Sequence, residues 1–131
     1  CKFVVYAQGR TEIGDRAAPS GTSITCRSTS VTIGPGTMIA PNVIIVDSDF
    51  HVMWPPGDRT NPAPLTDWAV FIGPNVWLGL NTLVLKGVTI GQNSTIAAGS
   101  VVARDIPANV VAAGNPAKVV RPLESADVST G

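Results

Sequence analysis

The stretch Ile72-Gly73-Pro74-Asn75-Val76-Trp77-Leu78-Gly79-Leu80-Asn81-Thr82-Leu83-Val84-Leu85-Lys86-Gly87-Val88-Thr89-Ile90-Gly91-Gln92-Asn93-Ser94-Thr95-Ile96-Ala97-Ala98-Gly99-Ser100-Val101-Val102 decides the fold. Its aliphatic residues Ile72, Leu78, Val84, Ile90, Ile96 and Val102 recur every six residues. The position after each is occupied by Gly73, Gly79, Leu85, Gly91, Ala97 and Ala103, small in five cases of six. Three after each aliphatic come Asn75, Asn81, Gly87, Asn93, Gly99 and Asp105. A chain that turns every six residues needs one residue per turn at positive φ, which Gly adopts freely and Asn or Asp tolerate. The aliphatic column then faces inward, stacked on its counterpart in the next coil, and the small residues lie where room at a corner is short. A sandwich would show irregular strand spacing and no fixed-phase turn residue. The period of six reads as a solenoid of short strands, each paired to the coils above and below.

Outward from this stretch the same grammar returns in Ile33-Gly34-Pro35-Gly36-Thr37, Ile39-Ala40-Pro41-Asn42-Val43 and Ile45-Val46, with a single unit at Ile13-Gly14-Asp15-Arg16-Ala17. From Ile45 to Ile72 is 27 residues, not a multiple of six, so the phase breaks between them. The break holds Asp47-Ser48-Asp49-Phe50-His51, Trp54-Pro55-Pro56, Pro62 and Pro64. Prolines in that number do not fit ladder strands, so an extruded loop is expected over about 47–71. Long loops that interrupt a compact solenoid are usually functional. After Val102 the pattern fades through Ile106-Pro107. The expected organisation is one β-helical domain over 1–121 and a polar tail over 122–131.

Composition agrees. The 131 residues suit a single domain. Val occurs 17 times and Thr 12, against two Glu and three Lys, which favours pleated strands over helices. Lys+Arg and Asp+Glu are both 9, which argues against a generic nucleic-acid binder. No apolar run approaches the roughly 20 residues of a membrane span. Two cysteines, Cys1 and Cys26, exclude a disulfide-rich scaffold and make a reducing, cytoplasmic setting the expectation. No signal peptide is visible, and the start at Cys1 leads us to expect residues upstream. One histidine, His51, excludes any site that needs several imidazoles, including a three-histidine zinc site.

Several segments carry a family resemblance. They are Ile45-Val46-Asp47-Ser48-Asp49-Phe50-His51, Ile72 through Gly79, Gly87-Val88-Thr89-Ile90-Gly91, Ala97 through Val102, and Asp105-Ile106-Pro107 through Gly114-Asn115-Pro116-Ala117-Lys118. Over about residues 30 to 121 the chain resembles the hexapeptide-repeat acyltransferases. Within them it is most similar to the sugar O-acetyltransferases of the maltose and galactoside acetyltransferase group. The resemblance implies an all-β fold, a left-handed parallel β-helix with one long extruded loop. The left hand comes from the resemblance alone, since the general crossover rule favours the right. It also implies acetyl-CoA as acyl donor, no metal, a sugar or glycan acceptor, and a homotrimer whose clefts are shared between subunits.

His51 is the candidate catalytic residue. Acyl transfer from a thioester to a hydroxyl needs a base for the hydroxyl proton, and imidazole titrates near neutrality; the family's histidine stands at the matching loop position. Asp47 and Asp49 are candidates to orient the ring or bind the acceptor, and read equally as solvated loop carboxylates. By resemblance Trp77 lines the cleft, and the backbone N–H groups of Gly79 and Leu80 face the thioester carbonyl, where they would stabilise an oxyanion. Leu80 departs from the small polar residues common there. Ala98 and Ala103 match positions that let pantetheine lie against the coils. Lys118 and Arg121, with Arg104 as a possible third, match basic positions that meet the coenzyme's phosphates. Cys26 reads as a structural small residue rather than a nucleophile. The acceptor pocket has no clear counterpart around Gly21-Thr22.

The leading functional expectation is therefore an acetyl-CoA-dependent O-acetyltransferase acting on a sugar or glycan hydroxyl. N-acetylation of an amino-sugar nucleotide shares the same base and stays as an alternative. A non-catalytic β-helix scaffold is the alternative from another class, since the repeat alone does not specify chemistry.

Overall fold

The computed structural model of the protein describes residues 2–5, 9–27, 29–60 and 68–124. Pro62, Pro64, Cys1 and most of the tail expected over 122–131 lie outside the described residues. Among the described residues fifteen short strands follow in chain order: β1 (Lys2–Val5), β2 (Arg10–Ile13), β3 (Ala18–Pro19), β4 (Ser23–Cys26), β5 (Ser30–Ile33), β6 (Met38–Ile39), β7 (Ile44–Val46), β8 (Val70–Ile72), β9 (Trp77–Leu78), β10 (Leu83–Val84), β11 (Thr89–Ile90), β12 (Thr95–Ile96), β13 (Val101–Val102), β14 (Val110–Gly114) and β15 (Ala117–Pro122). They form three sheets. The first is β1-β4-β7-β10-β13, the second β11-β8-β5-β2, and the third β15-β14-β12-β9-β6-β3. All pairings are parallel except β14 with β15. Each coil visits the three sheets in turn, and the whole is a left-handed parallel β-helix. No helix among the described residues is long and apolar enough to cross a membrane.

The six-residue period explains the packing. Ile72 registers with Ile90, Leu78 with Ile96, and Val84 with Val102, so three repeats make one coil. All six side chains are fully buried and belong to one core cluster. Asn75, Asn81 and Asn93 turn the corners at φ 57°, 59° and 67°, and Gly87 and Gly99 at 76° and 74°. The small-residue column has a steric cause: a Cβ on Gly91 would lie 2.3 Å from the Ala108 nitrogen of the next coil.

The repeat shifts at Asp105, which does not turn the chain in the left-handed region. Its carboxylate instead accepts the Thr89 N–H (2.8 Å), Ile106 bridges Ile90, and Asn109 makes the turn at φ 62°. The shortened corner leads into β14, and β15 folds back antiparallel along it, closing that end of the third sheet. The long insertion lies between β7 and β8, where the chain passes from the first sheet to the second.

Candidate active site

The insertion begins at a buried carboxylate. Asp47 follows β7, is fully buried, and accepts the Arg27 N–H (2.7 Å), the Thr29 N–H (2.9 Å) and the Thr29 hydroxyl (2.9 Å). These bonds tie the first limb of the loop to the corner between β4 and β5. The acceptor contact expected of Asp47 is thereby corrected. A sealed carboxylate with both oxygens engaged holds backbone and offers no face to a substrate.

Beyond Asp47 the chain makes a tight hook. The Phe50 N–H donates to the Ser48 hydroxyl (2.9 Å) and the His51 N–H to the Asp49 carbonyl (2.7 Å), with Phe50 at φ 65°. A three-residue turn at positive φ is the rare and strained form, and a bulky residue there is an outlier that invites a functional explanation. The hook leaves His51 exposed. Asp49 is half exposed and its carboxylate pairs with Lys86 at 2.6 Å. On the returning limb the Trp68 N–H donates to the Asp47 carbonyl (3.1 Å), which closes the neck of the loop.

A second feature lies on the third sheet. Ala40, Pro41, Trp77, Gly79, Leu80, Thr95, Ile96 and Ala98 line an apolar groove of about 630 Å³ that crosses β6, β9 and β12. Trp77 points outward between Met38 and Thr95 and is 57% exposed. The groove thus brings together Trp77, Gly79, Leu80 and Ala98. The Gly79 N–H is spent in the ladder, donating to the Ile96 carbonyl at 2.9 Å, so it cannot meet an oxyanion as expected. The equivalent amide one coil on, Ala97, is spent likewise on Ala112 (2.9 Å). The next amides, Leu80 and Ala98, make no such bond among the described residues and stand at the groove.

Other expected residues lie apart from it. Ala103 and Arg104 are exposed beyond β13, and Lys118 and Arg121 are exposed on β15, opposite Ala113 and Val111. The Arg121 guanidinium donates to the Pro122 carbonyl (3.2 Å). β15 is nonetheless the continuation of the grooved sheet, two strands past β12. His51 and Asp49 lie at the corner between the first and second sheets and do not line the groove, which belongs to the third.

Cys26 is fully buried and free. Burial pushes its thiol up; a hydrogen bond with the Thr11 hydroxyl (3.1 Å) opposes this and the charge of Asp47 adds to it. A thiol held neutral in this way is a packing group. Sequence reasoning missed Lys86 and Trp68 altogether. The available signal was the coil length: Lys86 is at the corner stacked directly on the root of the loop. Among the described residues no group of three or more His, Cys, Asp or Glu side chains is placed to hold a metal ion.

A β-helix of six-residue repeats, with a histidine loop at one corner and an apolar groove on the opposite sheet, defines a class. The chain belongs to the hexapeptide-repeat acyltransferase family. The bacterial transferase hexapeptide (six repeats) family matches residues 69–104. The chain is 42% identical over 98 residues to galactoside O-acetyltransferase of Escherichia coli K12, covering 75% of this chain and 47% of that one. Among solved structures, a maltose O-acetyltransferase from Clostridium difficile 630 shares 32% identity at a TM-score of 0.74, over 95% of this chain and 68% of that one. A galactoside acetyltransferase in complex with coenzyme A shares 31% at 0.58, over 95% and 68%. The chain spans about half the length of the curated relatives it matches.

Proposed function

We propose that the chain is the catalytic β-helix of an acetyl-CoA-dependent O-acetyltransferase that acetylates a hydroxyl of a sugar or glycan. The observation that carries this reading is the apolar groove with two unspent amides, Leu80 and Ala98, beside the exposed ring of Trp77. A pantetheine thioester is an extended, weakly polar arm that needs such a trough and a few backbone donors. Adjacent strands are about 4.8 Å apart, so the sheet carries the arm about 10 Å from β12 toward Lys118 and Arg121, whose cations meet the coenzyme's phosphates. Ala98 keeps the track low, while Ala103 follows β13 of the first sheet and lies off it. The solved complex of a related galactoside acetyltransferase with coenzyme A supports the donor.

In the proposed reaction His51 takes the proton of the acceptor hydroxyl as its oxygen attacks the thioester carbonyl. A C–O bond forms, the oxyanion is met by the Leu80 N–H, and the C–S bond then breaks. The proton passes from the imidazolium to the departing thiolate. Asp49 directs its second carboxylate oxygen toward the acceptor. One chain does not bring His51 to the groove, because they occupy a corner and the sheet opposite it. The reading therefore includes a homotrimer in which His51 of one subunit serves the groove of the next. A cytoplasmic setting is consistent with the free, buried Cys26.

The test is thiol release from acetyl-CoA with a panel of mono- and oligosaccharides. His51→Ala should lower kcat by about 10²–10⁴, the size of a general-base contribution, and leave coenzyme A affinity intact. Full activity in His51→Ala would refute catalysis by this residue, and absence of thiol release by the wild-type protein with every acceptor would favour the scaffold reading.

A further inference from the structure

We propose that Lys86 is a positioning residue for His51. It clasps the two limbs of the loop at their neck and so fixes the hook that presents the imidazole. The inference rests on the general-base reading of His51 for its catalytic consequence, but not for its geometry.

Three observations meet at this point. The Lys86 ammonium lies 2.6 Å from a carboxylate oxygen of Asp49, on the outgoing limb two residues before His51. The same ammonium sits 4.6 Å from the centre of the Trp68 ring, on the returning limb. Its side chain is only 18% exposed, although the Asp49 side chain is 44% exposed, so one half of the pair is withdrawn from solvent. The backbone reinforces the joint. The Gly87 N–H donates to the Trp68 carbonyl (3.1 Å), and a Cβ on Gly87 would press against the Trp68 ring at 3.0 Å, so the corner is shaped to the indole.

Geometry explains why a clasp is needed. The His51 hook turns through Phe50 at φ 65°, a conformation that must be held by its surroundings. Asp47 anchors the limb before the hook, and the Ser48 hydroxyl holds the Phe50 N–H from inside. Neither fixes Asp49, whose carbonyl receives the His51 N–H. The Asp49 carboxylate is fixed by Lys86. A cation delivered from the neighbouring coil is rigid, because that corner belongs to the β-ladder: Leu85 N–H donates to Val102 (3.0 Å) and Gly87 turns at φ 76°. Lys86 thereby couples the β-ladder to the limb that carries His51.

The experiment compares Lys86→Met, Lys86→Arg, Asp49→Asn and the double variant Lys86→Met/Asp49→Asn. His51 is the only histidine in the chain, so the Cε1–H signal of its imidazole can be followed without overlap from another histidine and without any substrate. Lys86→Met should shift or broaden that signal and lower kcat about 10–100-fold, the usual penalty for a misplaced group. KM for acetyl-CoA should be unchanged, since the groove is on another sheet. The double variant should be no worse than either single one, and Lys86→Arg, which keeps the cation between the same partners, should restore most of the activity. An unaltered imidazole signal in Lys86→Met would overturn the proposal, as would a rise in the KM for acetyl-CoA equal to the loss in kcat. A disturbed imidazole with unchanged kcat would uphold the clasp and sink the base reading, which His51→Ala tests separately.

Discussion

Asp47→Asn separates a structural carboxylate from a substrate contact. In the native chain one Asp47 oxygen accepts the Arg27 N–H at 2.7 Å, and the other accepts the Thr29 N–H and hydroxyl at 2.9 Å each. An asparagine keeps one acceptor oxygen. Its best orientation faces that oxygen to Thr29 and turns the amide NH₂ against the Arg27 N–H, donor against donor. The lost hydrogen bond to a charged group costs about 1.5–3 kcal/mol, and the stranded N–H adds to it. The total is about 2–4 kcal/mol, a large share of the stability of a single domain. Urea unfolding should show the midpoint falling with the slope unchanged. Acetyl transfer per folded molecule should fall as well, because the Asp47 carbonyl receives the Trp68 N–H and so closes the loop neck. Wild-type stability combined with a raised KM for the acceptor would refute the reasoning and return Asp47 to the substrate.

Two further outcomes are expected. Reversing both Lys118 and Arg121 to Glu should raise the KM for acetyl-CoA about tenfold while kcat changes little, since exposed cations contribute through phosphates remote from the reacting carbonyl; unchanged coenzyme binding would move the phosphate site away from β15. The raised Cys26 thiol adds stability that is fully present below its ordinary pH 9.0 and is lost as pH climbs through the folded value. In a Cys1→Ser background, urea midpoints should therefore decline more steeply above that pH with Cys26 than with Cys26→Ala, and parallel curves would count against a buried neutral thiol.

What the sequence discloses and what it hides divide along a physical line. The backbone of a solenoid repeats, so every six-residue unit restates the same demands, and Ile90 or Asn93 can be placed from Ile72 and Asn75 by counting. The corner at Asp105 escaped because a carboxylate that caps the Thr89 N–H looks, in sequence, like a turn residue. The fate of Asp47 escaped for a related reason: its partners Arg27 and Thr29 lie one coil away, and their backbone N–H groups leave no mark on residue identity. Gly79 lines the groove, yet whether its amide is spent depends on ladder register, which a motif does not state.

Lys86 shows how far counting could have gone. An insertion at one corner of a coil leaves the corner below without its usual neighbour, and the side chain there meets the neck of the loop instead. Residues at the same phase one coil after an insertion are therefore the first place to look for groups that steady it. In this chain that position holds one of three lysines, and its ammonium lies between an acidic residue and an indole from the loop's two limbs. The β-helix contributes little chemistry through its sheets, which are committed to pairing. It acts through corners, where a loop can depart and where the next coil can reach up to hold it. The limb that carries His51 is accordingly tied to the corner beneath it through Lys86 and Asp49, and a substitution at Lys86 probes that tie without touching the groove.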